Sequence, residues 1–188
     1  LQMYGCRVVQ KAIETVTDEV RSALIDELRG HVEECVRDQN GNHVIQKCIE
    51  HVPANKVDFI IGSFYGKVLT LAKHPYGCRV VQRVLEFCTG VQKSPVLKEV
   101  MDGCKDLILD QYGNYVIQHI LTRGIPKNRN YIIKKVKDNI LEFSRHKFAS
   151  NVVEKALQNS DRRTRADLIL AILELGTNGL LRVLNLTK

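Results

Sequence analysis

No stretch of this chain comes near the roughly 20 consecutive apolar residues that a membrane-spanning helix needs. None of its six cysteines forms a CxxC pair, which removes the usual zinc signature, so no metal site is implied. A phosphate-binding loop and a nucleophile motif are also missing. The chain therefore does not read as an enzyme, and no cofactor is implied. The opening Leu1-Gln2-Met3-Tyr4 shows neither the basic region nor the apolar run of a signal peptide.

What remains is a folded composition, 44% hydrophobic and 26% charged. Lys and Arg number 28 against 21 acids, a balance of +7 that suits a polyanionic partner without establishing one. Cys6, Cys35, Cys48, Cys78, Cys88 and Cys104 fall largely in apolar helical runs, where a free thiol behaves as a small hydrophobe. Reduced, intracellular thiols are the natural reading.

The chain repeats itself. Five segments align without gaps: Tyr4 to Gln10, Asn40 to Gln46, Tyr76 to Gln82, Tyr112 to Gln118 and Phe148 to Glu154. Residues 6, 42, 78, 114 and 150 are each separated by 36, a period that signals stacked supersecondary units. Apolar pairs recur four residues apart after each start, as in Val44, Ile45, Cys48 and Ile49, or Val116, Ile117, Ile120 and Leu121. That spacing is a helical stripe. A second short stripe precedes each complete motif: Val32, Cys35, Val36; Val68, Leu71, Ala72; Cys104, Leu107, Ile108; Ile140, Phe143. Further amphipathic stretches run over 20–28, 57–64 and 132–136, with Pro53, Gly90 and Gly124-Ile125-Pro126 as separators. The pattern predicts an all-α solenoid whose units bury their stripes on one another.

The stripe leaves a face unused. With residue 6, 42, 78, 114 or 150 as offset zero and roughly 100° per residue, offsets zero, one and four share a face away from the apolar stripe. That face carries Cys6, Arg7, Gln10; Asn42, His43, Gln46; Cys78, Arg79, Gln82; Asn114, Tyr115, Gln118; and Ser150, Asn151, Glu154. Offsets zero and four lie one turn apart and can grip one object. Offset one holds a flat group, suited to stacking on a nucleobase held by its edge. Offset five adds Lys11, Lys47, Arg83, His119 and Lys155, expected to reach backbone phosphates.

These motifs closely resemble the reading helices of the Pumilio (PUF) family of RNA-binding repeat proteins. The resemblance runs to about Leu157 and matches the third to seventh of the family's eight repeats. It implies a right-handed α-solenoid of 36-residue three-helix repeats over 1–188, incomplete at both ends, with a partial further repeat at 161–188. Asp161 to Leu175 reads as the first helix of that last unit, and 176–188 has no assignment. The family rule pairs offsets zero and four with one base. Asn with Gln reads uracil, Cys or Ser with Gln reads adenine, and Ser with Glu reads guanine. The implied site is 5′-GUAUA-3′, read by Ser150/Glu154, Asn114/Gln118, Cys78/Gln82, Asn42/Gln46 and Cys6/Gln10 in turn. Arg7, His43, Arg79, Tyr115 and Asn151 would stack between bases. Chemistry agrees in part: guanine's edge offers two adjacent donors, and a carboxylate only accepts. The resemblance further implies a monomer that binds 3′ UTR elements of mRNA in the cytoplasm. Its expected outcome is control of translation or stability through protein co-regulators on the outer face. A protein-binding helical scaffold is the alternative, but it predicts no edge-reading triplet at every period.

Overall fold

A computed structural model of the chain describes residues 2–174 and residues 181, 183 and 184; these are helical apart from their turns. The chain divides into two compact units, residues 1–102 and 103–188. Each is an α-solenoid of stacked repeats, in which a short helix, a long reading helix and an outer helix follow in order.

The first unit contains α1 (Met3–Thr15), α2 (Asp18–Asp26), α3 (Val32–Arg37), α4 (Gly41–His51), a 3-10 turn at Ala54–Lys56, α5 (Asp58–Gly62), α6 (Val68–Ala72), α7 (Gly77–Phe87) and α8 (Gly90–Asp102). Its reading helices are α1, α4 and α7; α1 packs on α4 and α4 on α7, with α3 and α6 wedged against the last two. The second unit contains α9 (Cys104–Leu109), α10 (Gly113–Arg123), α11 (Pro126–Asp138), α12 (Ile140–Ser144), α13 (Ala149–Asn159) and α14 (Arg162–Leu173). Here the reading helices α10 and α13 pack on each other and on α9 and α12.

The predicted stripes form the core. Val44, Ile45, Cys48 and Ile49 are buried, as are Val80, Val81 and Val84, Val116, Ile117, Ile120 and Leu121, and Val152, Val153 and Ala156. Each such aliphatic contributes roughly 1.5–3 kcal/mol on full burial. The short-helix residues, from Val32 to Phe143, are buried with them. Val8 departs from the expected stripe and is 70% exposed, while Val9, Ala12, Leu85 and Leu157 are half-buried.

Gly90 is not the separator the sequence suggested; it is the first residue of α8. The cause is a reciprocal capping pair. The backbone N–H of Thr89 donates to Gln92 Oε1 (3.0 Å), while that of Gln92 donates to Thr89 Oγ1 (3.4 Å). Gln92 Nε2 also donates to Ala54 O (2.7 Å) and Asp58 Oδ1 (2.6 Å), tying α8 to the preceding repeat. At the other end, Asp161 caps α14 by accepting from Thr164 N (2.7 Å). The unassigned stretch 176–188 lies outside the described residues except at 181, 183 and 184.

Candidate nucleic-acid interface

Each reading helix starts from a side-chain acceptor four residues before offset zero. Asp38 Oδ1 accepts from the N–H groups of Asn40 (2.8 Å) and Gly41 (2.7 Å), and Asp110 Oδ1 from Tyr112 (2.8 Å) and Gly113 (2.7 Å). In α7 and α13 a histidine does the same through Nδ1. His74 accepts from Tyr76 and Gly77 at 3.2 Å, and His146 from Phe148 and Ala149 at 3.3 Å. In α1 Gln2 Oε1 takes the N–H of Gly5 (2.7 Å). These bonds satisfy donors that a helix start leaves orphaned. The N–H groups of Gly41 and Asn40 hold the Asp38 carboxyl below the usual carboxylate range. Burial, with Arg37 nearby, pushes His74 down from 6.5, favouring the neutral ring that can accept.

The start of the helix is also tight. A methyl on Gly77 would meet Leu71 O at 2.5 Å, and one on Gly113 would meet Leu107 Cδ2 at 2.8 Å and Leu107 O at 3.0 Å. The reading helix thus begins against the short helix before it, which sets where offset zero falls.

Direct side-chain bonds join offsets zero and four in the two asparagine repeats. Gln46 Nε2 donates to Asn42 Oδ1 and Gln118 Nε2 to Asn114 Oδ1, both at 2.8 Å. Gln82 Nε2 reaches back to the carbonyl of Cys78 (3.1 Å). Glu154 is exposed, and Gln158 Nε2 donates to its Oε1 (2.8 Å). One feature differs from the helical-wheel expectation. Cys6, Asn42, Cys78 and Asn114 are buried, with Asn42 0% and Asn114 1% exposed, and Ser150 is half-buried. The reason is local: Asn42 Nδ2 folds back onto Asp38 O and Gln39 O, both 2.9 Å, and Asn114 Nδ2 onto Asp110 O (2.8 Å) and Gln111 O (3.0 Å).

At offset one, Arg7, His43, Arg79, Tyr115 and Asn151 are all exposed. In the first unit a cleft of about 260 Å³ is lined by Met3, Cys6, Arg7, Gln10, Asn40 and His43. Flat groups from two successive repeats, Arg7 and His43, thus line one cleft with the offset-zero and offset-four residues of the first. Met3 and Asn40 also line it and were not anticipated, since neither position keeps one residue type across the repeats.

In the first unit the basic residues at offset five pair with carboxylates. Lys47 Nζ lies 2.9 Å from Glu14 and 3.3 Å from Glu50, and Arg83 lies 2.9 Å from Glu50 and 3.2 Å from Glu86. Lys11 lies 3.4 Å from Glu14, and Lys155 Nζ donates to Gln158 Oε1 (3.2 Å). His119 is half-buried. Lys47 in turn holds the Glu14 carboxyl below its ordinary range. In the first unit the row thus forms a ladder of ion pairs between repeats.

The six cysteines are free and buried, and burial pushes Cys48 up to about 12 and Cys88 and Cys104 up to about 11. Cys48, Cys88 and Cys104 therefore stay protonated packing groups at neutral pH. Among the described residues no cluster of His, Cys, Asp or Glu could hold a metal ion, and no helix is long and apolar enough to cross a membrane.

The Pumilio-family RNA binding repeat matches residues 1–29, 31–62, 67–101, 103–137 and 139–173. Solved structures agree. PUF-8 in complex with PBE-RNA is 38% identical, with a TM-score of 0.87 over 92% of this chain and 51% of its own. The Puf3 RNA binding domain bound to Cox17 RNA 3′ UTR recognition sequence site A is 44% identical (TM-score 0.86; 92% and 52% covered). The Puf4 RNA binding domain bound to an HO endonuclease RNA 3′ UTR recognition sequence is 34% identical (TM-score 0.86; 96% and 57% covered). The chain therefore spans little more than half the length of these structures. No curated protein sequence matches it significantly.

Proposed function

Because the chain belongs to the Pumilio (PUF) family of RNA-binding repeat proteins, we propose that it binds single-stranded RNA sequence-specifically, one base per repeat. The core site is 5′-GUAUA-3′ within a UGUA-type element of an mRNA 3′ UTR. Ser150 and Glu154 take guanine, Asn114/Gln118 and Asn42/Gln46 take uracil, and Cys78/Gln82 and Cys6/Gln10 take adenine. Binding involves no chemical step. Its consequence is cytoplasmic control of translation or mRNA stability, exerted by a monomer through protein co-regulators.

The observation that carries this reading is the cleft in which Arg7 and His43 meet Cys6 and Gln10. A planar base entering there would lie between two flat side chains with its edge toward Gln10. Stacking of this kind contributes about 1–3 kcal/mol per base and tolerates any base. Discrimination then has to come from the edge, where an amide offers one donor group and one acceptor and a carboxylate offers acceptors alone.

The test is equilibrium binding to 5′-UGUAUAUA-3′ and its single-base variants at one fixed ionic strength, since affinity for nucleic acid varies steeply with salt. Replacing the guanine is expected to weaken binding most. Equal affinity for every variant would overturn the proposal.

A further inference from the structure

We propose that the outer face of α11 is a second RNA-binding surface, which holds the phosphate backbone of the strand 5′ to the base-read site through Lys127, Lys134 and Lys137. This rests on the one-base-per-repeat reading above, in which the second unit takes the 5′ end of the site.

Charge is unevenly placed along the chain. Residues 1–102 carry 13 Lys and Arg against 13 Asp and Glu, whereas 103–188 carry 15 against 8. The whole surplus of +7 thus lies in the second unit. It is densest on α11, where Lys127, Arg129, Lys134, Lys135 and Lys137 are offset by a single acid, Asp138. The packing side of this helix is Ile132, Ile133 and Val136, all buried. At roughly 100° per residue, Lys127, Lys134 and Lys137 fall on the opposite side, and all three are exposed. Among the described residues no carboxylate pairs with any of them. From the first to the last is roughly 15 Å of helix, a row long enough for several phosphates of one strand.

The fold does not require these cations. α8 holds the same place one period earlier, with Val91, Lys98 and Met101 at the matching positions. There Lys98 Nζ lies 2.9 Å from Asp102, and Glu99 and Asp102 balance Lys93 and Lys98. Local electrostatics oppose the α11 arrangement. Lys127 and Arg129 stand in its first turn, where the helix dipole favours anions, and Lys134 and Lys137 are like charges one turn apart. A row assembled against its own helix is matched by an anion from outside, and RNA is the anion that the reading helices of this unit bring to it. Ammonium groups suit a backbone whose phosphates recur whatever the bases. Tethering by the base-read segment raises the local concentration enough for weak contacts to count. Protein interfaces centre instead on aromatic or apolar anchors. The one aromatic of this helix, Tyr131, already has the Lys135 ammonium 5.4 Å from its ring centre.

The test compares binding of the full chain to 5′-UGUAUAUA-3′ and to the same RNA extended by roughly ten abasic nucleotides at its 5′ or its 3′ end, which adds phosphates without bases. The 5′ extension should raise affinity about tenfold and steepen the slope of log affinity against log salt by about two, at about 0.7 per phosphate. The 3′ extension should add little, because the first unit, which takes that end, has no surplus charge. Lys127→Gln, Lys134→Gln and Lys137→Gln together should abolish both gains and leave binding of the unextended RNA, helicity and melting unchanged. Lys127→Arg, Lys134→Arg and Lys137→Arg together should keep the gains. Gains that survive the glutamine variant overturn the inference. So does an equal fall when Lys56→Gln, Lys67→Gln and Lys98→Gln remove the same charge from the first unit. A glutamine variant that loses binding to a polyglutamate peptide but not to the extended RNA assigns the row to an acidic protein and overturns it too. Equal affinity for extended and unextended RNAs, with the preference for G intact, overturns this inference alone; loss of that preference overturns the base-reading proposal instead.

Discussion

The repeats of α4 and α10 and those of α7 and α13 build the same reading helix from different parts. The first pair uses an aspartate acceptor four residues before offset zero and an asparagine at it; the second uses a histidine, then Cys78 or Ser150. Both acceptors satisfy the same two backbone N–H groups, so the helix start is a shared requirement with two chemical solutions. The histidines add a ring contact that aspartate cannot make: His74 lies edge-on to Tyr76 at 5.7 Å and His146 to Phe148 at 5.8 Å. The asparagines add bonds to two carbonyls that cysteine and serine replace with single contacts of 3.5 and 3.4 Å. Sameness of backbone with difference in side-chain chemistry is what lets a repeat protein vary its reading without varying its fold.

The comparison breaks first at the crowded glycine. Gly77→Ala should destabilise the chain by about 1–3 kcal/mol, because the obstructing atom is a backbone oxygen. Gly113→Ala should cost less, since the nearest obstruction is the movable end of Leu107. Chemical denaturation of both variants checks the order. Loss of either acceptor comes next. Asp110→Ala and His146→Ala should each cost about 0.5–2 kcal/mol, in the range of a lost N-cap. A negligible effect of one alone would show that the two solutions are not equivalent.

Acid should separate the two kinds of repeat. Only a neutral imidazole Nδ1 can accept, and the folded state holds His74 below 6.5. Its contribution is therefore complete above pH 6.5 and is lost as the pH falls through that lowered value. Asp38 is also held below its ordinary 3.8, so its bonds last until much stronger acid. Amide-exchange protection of Tyr76 and Gly77 should fall before that of Asn40 and Gly41 as the pH drops from about 7 toward 4. Simultaneous loss would remove the distinction. The smallest effect belongs to the ion-pair ladder. Lys47→Gln should change stability by about 1 kcal/mol, as a solvent-accessible, half-buried pair does, and leave the salt dependence of RNA binding unaltered. A fall of about one in the salt slope would make Lys47 a phosphate contact after all.

Much of this was legible in the residues. The period and the paired apolar offsets predicted the reading and short helices and most of the core, because burial of a stripe is a property of spacing. Three things were not legible. Asp38, His74, Asp110 and His146 share a role but not a residue type, so alignment by identity passes over them. The burial of Asn42 and Asn114 comes from bonds to carbonyls in the preceding turn, which a helical wheel does not represent. Glu14, Glu50 and Glu86 lie three residues beyond the bases of their own repeats, and two of them also bind the base of the next repeat, a pairing that depends on the stacking distance. Thr89 and Gln92, by contrast, form a capping signature that could have placed the start of α8 from sequence.

The most direct measurement joins one repeat to one base. Ser150→Asn combined with Glu154→Gln exchanges a hydroxyl and a carboxylate for the amide pair found in α4 and α10. Binding to RNAs carrying G or U at the facing position, all else equal, should reverse in preference from G to U, with each contact contributing about 1–3 kcal/mol. A double variant that folds and still prefers G would contradict base reading by offsets zero and four.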